Sequence, residues 1–140
     1  MGIYKHFVIL GGGGGNEIAN KLCVYDVSDR SGLSANQLNK LTHEESTGAD
    51  MPTHIETALV SALSFLYPDQ LFCQNINVLA VCMGPNIGIY KLDPKVGKLE
   101  LFQKFQADFK AEEPNVNCCK WFVDNKAIAV GGDDMVVRVY

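Results

Sequence analysis

Apolar residues in this chain come in short runs and alternations cut by glycine, proline and aspartate, the rhythm of β-strands joined by tight turns. Val78 to Met83 is continuously apolar, Gly84-Pro85-Asn86 is a turn and Ile87 to Leu92 returns, which predicts a hairpin. Tyr4 to Leu10 and Lys21 to Val27 each read as a strand, and Lys98 to Phe109 as an outer strand mixing Leu and Phe with Gln and Lys. Val116 to Val123, Ala127 to Val130 and Met135 to Tyr140 predict three more strands, with turns at Asp124-Asn125 and Gly131 to Asp134. Ser28 to Asp50 is polar and predicts an outer strand or short helix within a long loop. Thr53 to Leu66 supports two readings. Thr53 and Glu56 make a capping box and Ile55, Leu59, Ala62 and Leu66 keep helical spacing, whereas the Tyr67-Pro68-Asp69 turn favours a strand.

An internal repeat emerges when FVILGGGGGNEIANKLCVYDV, VLAVCMGPNIGIYKLD and AIAVGGDDMVVRVY are aligned. Each is an apolar strand, a glycine-containing turn and a second strand, at roughly the ~40 to 50 residue spacing of propeller blades once one insertion is allowed. The repeat predicts an all-β protein of the β-propeller kind, and a plain antiparallel sandwich shares some of the rhythm. Propellers have four to eight blades and this chain holds material for about three. Its sheet edges therefore need either further polypeptide or other copies of the chain to cover them.

Between the first two strands lie five glycines, Gly11 to Gly15. Such a run gives up much chain entropy on ordering, and a hairpin needs only one or two glycines. A GxxxxGK[ST] phosphate loop is excluded because Asn16 follows the glycines and Lys21 comes too late. A dinucleotide GxGxxG fingerprint is disfavoured, since Asn16 stands at its third glycine and a strand, not a helix, follows. The loop is left with three roles: to turn main-chain groups around an ion, to insert its tip, Asn16 to Asn20, into a partner, or simply to connect.

GGGGGNEIANKL followed by VYDV resembles the start of the WD-repeat propeller of the prolactin regulatory element-binding protein family, exchange factors for the Sar-type small GTPase that begins COPII coat assembly. Ile18 and Asn20 match the family's Ile and Asn, and Ala19 stands where the family has proline. The resemblance implies a partial WD-repeat β-propeller, about three blades of a normally seven-bladed ring. Residues 4–28 would form a first partial blade with the glycine loop at 11–20, and 29–52 a loop or outer strand. Residues 53–109 would form a second blade and 115–140 a third, partial one. It further implies that Asn20 promotes nucleotide release, that Asn16, Glu17, Ile18 and Ala19 meet the GTPase, and that carbonyls of Gly12, Gly13, Gly14 and Gly15 hold a potassium ion. The implied setting is the cytosolic face of the endoplasmic reticulum, with membrane attachment through a downstream anchor. The alternative is a WD-repeat scaffold that binds a partner without stimulating exchange.

Charge and cysteine content narrow the picture further. The net charge of −4 over 140 residues is spread along the chain with no basic block, which argues against nucleic acid as a partner. Five cysteines with no CxxC read as reduced core thiols. No apolar run reaches the ~18 residues of a membrane span, and His6 breaks the myristoylation pattern after Gly2. His6, His43 and His54 have no Cys or carboxylate at ligand spacing and no catalytic triad is present; Asp26, Asp93, Asp133 and Asp134 read as turn formers, and Trp121 as a packing or rim residue.

Overall fold

The computed structural model describes residues 2–4, 7–13, 17–28, 40–58 and 78–140. Among these there are eleven β-strands and no helix, arranged in three antiparallel sheets that follow one another along the chain. The first sheet consists of β1 (Gly2–Tyr4), β2 (Phe7–Gly12), β3 (Asn20–Asp26) and β4 (Leu41–Gly48), each paired with the next. The second is β5 (Pro52–Thr57), β6 (Val78–Met83), β7 (Asn86–Asp93) and β8 (Lys98–Gln106), and the third is β9 (Val116–Trp121), β10 (Ile128–Gly132) and β11 (Val137–Val139).

Strand periodicity explains how the second sheet comes to lie between the other two. Leu79, Val81 and Met83 of β6 point to one side, where they meet Phe7 and Ile9 of β2 and Leu22 and Val24 of β3. Ala80 and Cys82 point to the other side and join Val116, Cys119, Ile128 and Val130 of the third sheet. A strand buried on both faces must be apolar throughout, which is why β6 reads as an unbroken run rather than an alternation. β7 keeps the regular alternation: Ile87 and Ile89 serve the third sheet while Tyr90 and Leu92 serve the first. The β7–β8 register shift between Ile89 and Tyr90 leaves Phe102 of β8 as the extra residue.

One expected element is corrected, and one left with two readings falls to the strand over its described part. Tyr4 to Leu10 is not one strand: β1 and β2 pair antiparallel, with Tyr4 opposite Phe7, so the chain reverses within this stretch. The capping-box residues Thr53 and Glu56 lie in β5, not in a helix, because β6 offers β5 a full ladder and Glu56 is engaged by Lys120 of β9. Cross-strand pairing and burial of Ile55 outweigh a local capping preference that would stabilise a helix by only about 1 kcal/mol. Leu59 to Leu66, Tyr67-Pro68-Asp69, His6 and Cys73 lie outside the described residues.

Candidate interaction site: the glycine loop and its base

The two ends of the glycine loop are held differently. Gly11 and Gly12 still belong to β2, opposite Leu22 and Lys21. At Gly11 a methyl group would come 2.7 Å from the Cβ of Pro52, so this glycine lets the first strand of the second sheet approach the first sheet closely. Gly12 has open space where a Cβ would stand. Gly13 has φ 130°, and a Cβ there would lie 2.5 Å from the Cα of Asn20 and 2.6 Å from the carbonyl oxygen of Ala19. The loop's mouth thus closes on itself at Gly13. Gly14, Gly15 and Asn16 lie outside the described residues.

Beyond the mouth, Glu17 takes the left-handed conformation with φ 67°, uncommon for a residue with a side chain. Glu17, Ile18 and Ala19 are exposed, Ile18 to 63%. Ile18 borders a shallow cavity of about 180 Å³ shared with Leu10, Gly13, Lys21 and Tyr25 on the outer side of the first sheet. Beside it Lys21 pairs with Glu44 at 2.6 Å, a hydrogen bond that raises the lysine pKa and lowers that of the carboxylate.

Asn20 opens β3 at the outgoing stem. Its Nδ2 donates to the carbonyls of Gly48, the last residue of β4, and Ala49, in the turn after it, at 3.2 and 3.1 Å. Two carbonyl acceptors fix the amide's orientation, since the reverse would set oxygen against oxygen. Oδ1 is left buried without a donor, 2.7 Å from where a Gly13 Cβ would stand. The loop therefore has at its mouth an unsatisfied side-chain oxygen, with the Ala19 carbonyl beside it.

The turn that receives Asn20 is itself anchored. Asp50 accepts from Lys104 Nζ at 2.6 Å and Asn86 Nδ2 at 3.2 Å, and Gly84 packs against its carboxylate. The next sheet junction repeats the device. Asp108, fully buried, accepts from the N–H groups of Lys110, Asn115, Asp133 and Asp134, with Gly132 packed against its Oδ2. Each aspartate stands two residues past the fourth strand of its sheet and clasps the turn between the second and third strands of the following sheet. Neither was singled out from the sequence. The signal was present in the Ala-Asp dipeptides Ala49-Asp50 and Ala107-Asp108, each ahead of a strand–glycine-turn–strand unit.

The other expected residues stay apart from the loop. Asp26 and Asp93 accept from the N–H groups of Ser28 and Lys95, as turn formers do. Asp134 accepts from the N–H groups of Val136 and Phe109 and pairs with Arg138 at 2.6 Å. Asp133 accepts from the side chain of Asn117. His43 lies 3.4 Å from Glu45, and His54 lies 3.9 Å from Glu56. Cys82 and Cys119 are buried together, and the hydrogen bond between them raises the Cys82 pKa, as does burial, which keeps it a thiol. No helix among the described residues is long and apolar enough to cross a membrane. No protein-family model and no curated protein matches this chain.

Proposed function

We propose that the three sheets are successive blades of a WD-repeat β-propeller that acts as a guanine-nucleotide exchange factor on a Sar-type small GTPase. The observation that carries the reading is the glycine loop itself, which presents exposed Ile18 from a base clamped by Asn20 and Gly13. An exchange factor must favour the nucleotide-free state of its GTPase by differential binding, and a fixed apolar anchor loses little entropy on docking. Ile18 is that anchor, flanked in the chain by exposed Glu17 and Ala19. Asn20 promotes nucleotide release as a positioning residue, because both of its amide hydrogens already hold the loop to the end of β4 and the turn after it.

The donor set also suits the potassium ion that the resemblance implies. Among the described residues no cluster of His, Cys, Asp or Glu could hold a metal, whereas Asn20 Oδ1 and the Ala19 carbonyl are neutral oxygens at the mouth of the loop. Neutral oxygens favour a hard monovalent cation. Together with the carbonyls of Gly12 to Gly15 they would hold it, and the ion would supply fixed positive charge that stiffens the loop.

A second reading, a scaffold that binds a protein without stimulating exchange, is favoured by the commitment of Asn20 to Gly48 and Ala49. Release of fluorescent GDP from a Sar-type GTPase decides between them. Under the exchange reading the full-length protein accelerates release, Ile18→Asp abolishes binding, and Asn20→Ala slows release at least about tenfold. Binding without acceleration would leave the scaffold, and absence of binding would reject the GTPase as partner.

A further inference from the structure

Two cysteines meet where the second sheet packs on the third. Cys82 of β6 and Cys119 of β9 are 0% and 4% exposed in one apolar cluster with Ala80, Ile87, Val116 and Val130, and the two thiols are hydrogen-bonded to each other. Strand periodicity and one irregularity bring them together. Ala80 and Cys82 share the face of β6 that looks to the third sheet. On β9 the register with β10 skips Asn117, so Val116 and Cys119 both face the second sheet although three positions apart, and Asn117 and Cys118 are left exposed.

The main chain around the pair is braced from both sheets. Thr53 Oγ1 lies 3.3 Å from the Cys82 carbonyl oxygen and 3.0 Å from that of Val116, and the Val116 N–H donates to the Gly84 carbonyl at 2.6 Å. Cα atoms of β6 and β9 accordingly come within 8 Å of one another. The other described thiols are out of reach of this pair: Cys118 is on the opposite face of β9, and Cys23 is on the outer side of the first sheet, beside Glu44.

We infer that Cys82 and Cys119 are a redox latch, which a hydroperoxide converts to a disulfide that covalently joins the second sheet to the third. One thiolate attacks an oxygen of the peroxide, the S–O bond forms as the O–O bond breaks, and the departing oxygen takes up that thiol's proton. The partner sulfur then attacks the sulfenic sulfur, the S–S bond forms as the S–O bond breaks, and hydroxide leaves with the second proton as water. Each sulfur gives up one electron and the peroxide gains two. Burial sets the condition for the first step, because a thiol kept protonated among apolar side chains is a poor nucleophile. Oxidation therefore waits on local opening of the junction, and the cross-link forms as the sheets close again. The latch lies apart from the glycine loop and holds or fails independently of GTPase exchange.

The test uses the full chain carrying Cys23→Ser, Cys73→Ser and Cys118→Ser, which leaves the pair as its only cysteines. Hydrogen peroxide is the oxidant, and free thiols are counted by alkylation in guanidinium before and after. The expected product is a chain lighter by two hydrogen atoms, with no free thiol and no cross-link between chains on a non-reducing gel. Its melting temperature should rise by at least about 5 °C and return to the starting value with dithiothreitol. Oxidation should run at least about tenfold faster in urea too dilute to unfold the chain, because opening gates the reaction. Oxygen added to either sulfur in place of the disulfide, a link between two chains, or a cross-linked chain that melts no higher than the reduced one overturns the proposal. A rate indifferent to urea overturns the requirement for opening. If the triple variant does not fold, the parent chain is oxidised and digested: a peptide linking Cys82 to Cys119 supports the latch, and one linking Cys82 to any other cysteine overturns it.

Discussion

Asp108 accepts a hydrogen bond from the N–H of Asp133 at 2.6 Å across 25 residues of sequence, tying the exit of the second sheet to the β10–β11 turn of the third. Three further N–H groups share the same carboxylate. Asp108→Ala would orphan buried donors at about 1 to 3 kcal/mol each, so the expected loss is at least ~3 kcal/mol by urea denaturation. Asp108→Asn keeps one acceptor oxygen and should lose about half as much. Gly132→Ala should be comparably harmful, because its methyl group collides with Asp108 Oδ2.

The glycine run is predicted to be unequal in its demands. Gly13→Ala must place a side chain at φ 130° and against the Asn20 backbone, and should cost ~2 kcal/mol or more. Gly12→Ala has open space and should stay within about 1 kcal/mol of the parent, of either sign. Equal melting temperatures for the two variants would show that the loop mouth is not closed as described.

At Asn20, the two bonds to Gly48 and Ala49 give a graded expectation. Asn20→Ala should cost about 1 to 2 kcal/mol. Asn20→Asp should cost more, since a carboxylate would face two carbonyl oxygens, and the difference should shrink when the pH is lowered enough to protonate it. Thermal melts at pH 7 and pH 3 read both effects.

These predictions rest on features of unequal legibility. The β6–β7 hairpin could be read because every residue of Val78 to Met83 is apolar and the Gly84-Pro85 turn is local. The strands on either side of the glycine run were legible too, but not that Gly11 and Gly12 extend β2, since the reason for Gly11 is Pro52, far along the chain. The reversal between Tyr4 and Phe7 leaves no glycine or proline as a marker. Asp108 escaped notice because its donors are backbone N–H groups, which have no side-chain signature, and Asp50 because its donors, Asn86 and Lys104, lie 36 and 54 residues away. Asn20 was legible as a loop-end residue, but its partners are carbonyls 28 and 29 residues away.

Tyr90 contributes to the loss of stability at alkaline pH. Burial, with the charges of Glu45 and Asp50, pushes its phenol up to about 12, and its hydroxyl reaches only the Met83 sulfur at 3.6 Å. The folded pKa exceeds the unfolded value near 10, so its contribution is complete below pH ~10 and is lost as the pH rises toward 12. Tyr90→Phe should be close to neutral at pH 7 and should flatten the fall in melting temperature above pH 10.

Asp134 works at the opposite end. Burial pushes its carboxyl up, but hydrogen bonds from Val136 and Phe109 N–H and the Arg138 guanidinium more than offset this and hold it below the usual 3.8. A depressed folded pKa contributes stability above 3.8 that is lost as the pH falls through the folded value. Arg138→Gln should therefore narrow the difference in melting temperature between pH 5 and pH 2.5.

The aspartate clasps have a temporal meaning during synthesis. Asp50 leaves the ribosome 36 residues before its partner Asn86, and Asp108 leaves 25 residues before Asp133. At translation rates of ~5 to 20 residues per second, each carboxylate waits about one to seven seconds for its donors. During the first wait, Phe7, Ile9, Leu22 and Val24 have no β6 to cover them, and the nascent chain presents a bare apolar sheet to chaperones. Each clasp then closes in order from the N-terminus. A ribosomal pause placed between Asp108 and Asp133 would hold the chain with its first junction locked and its second open.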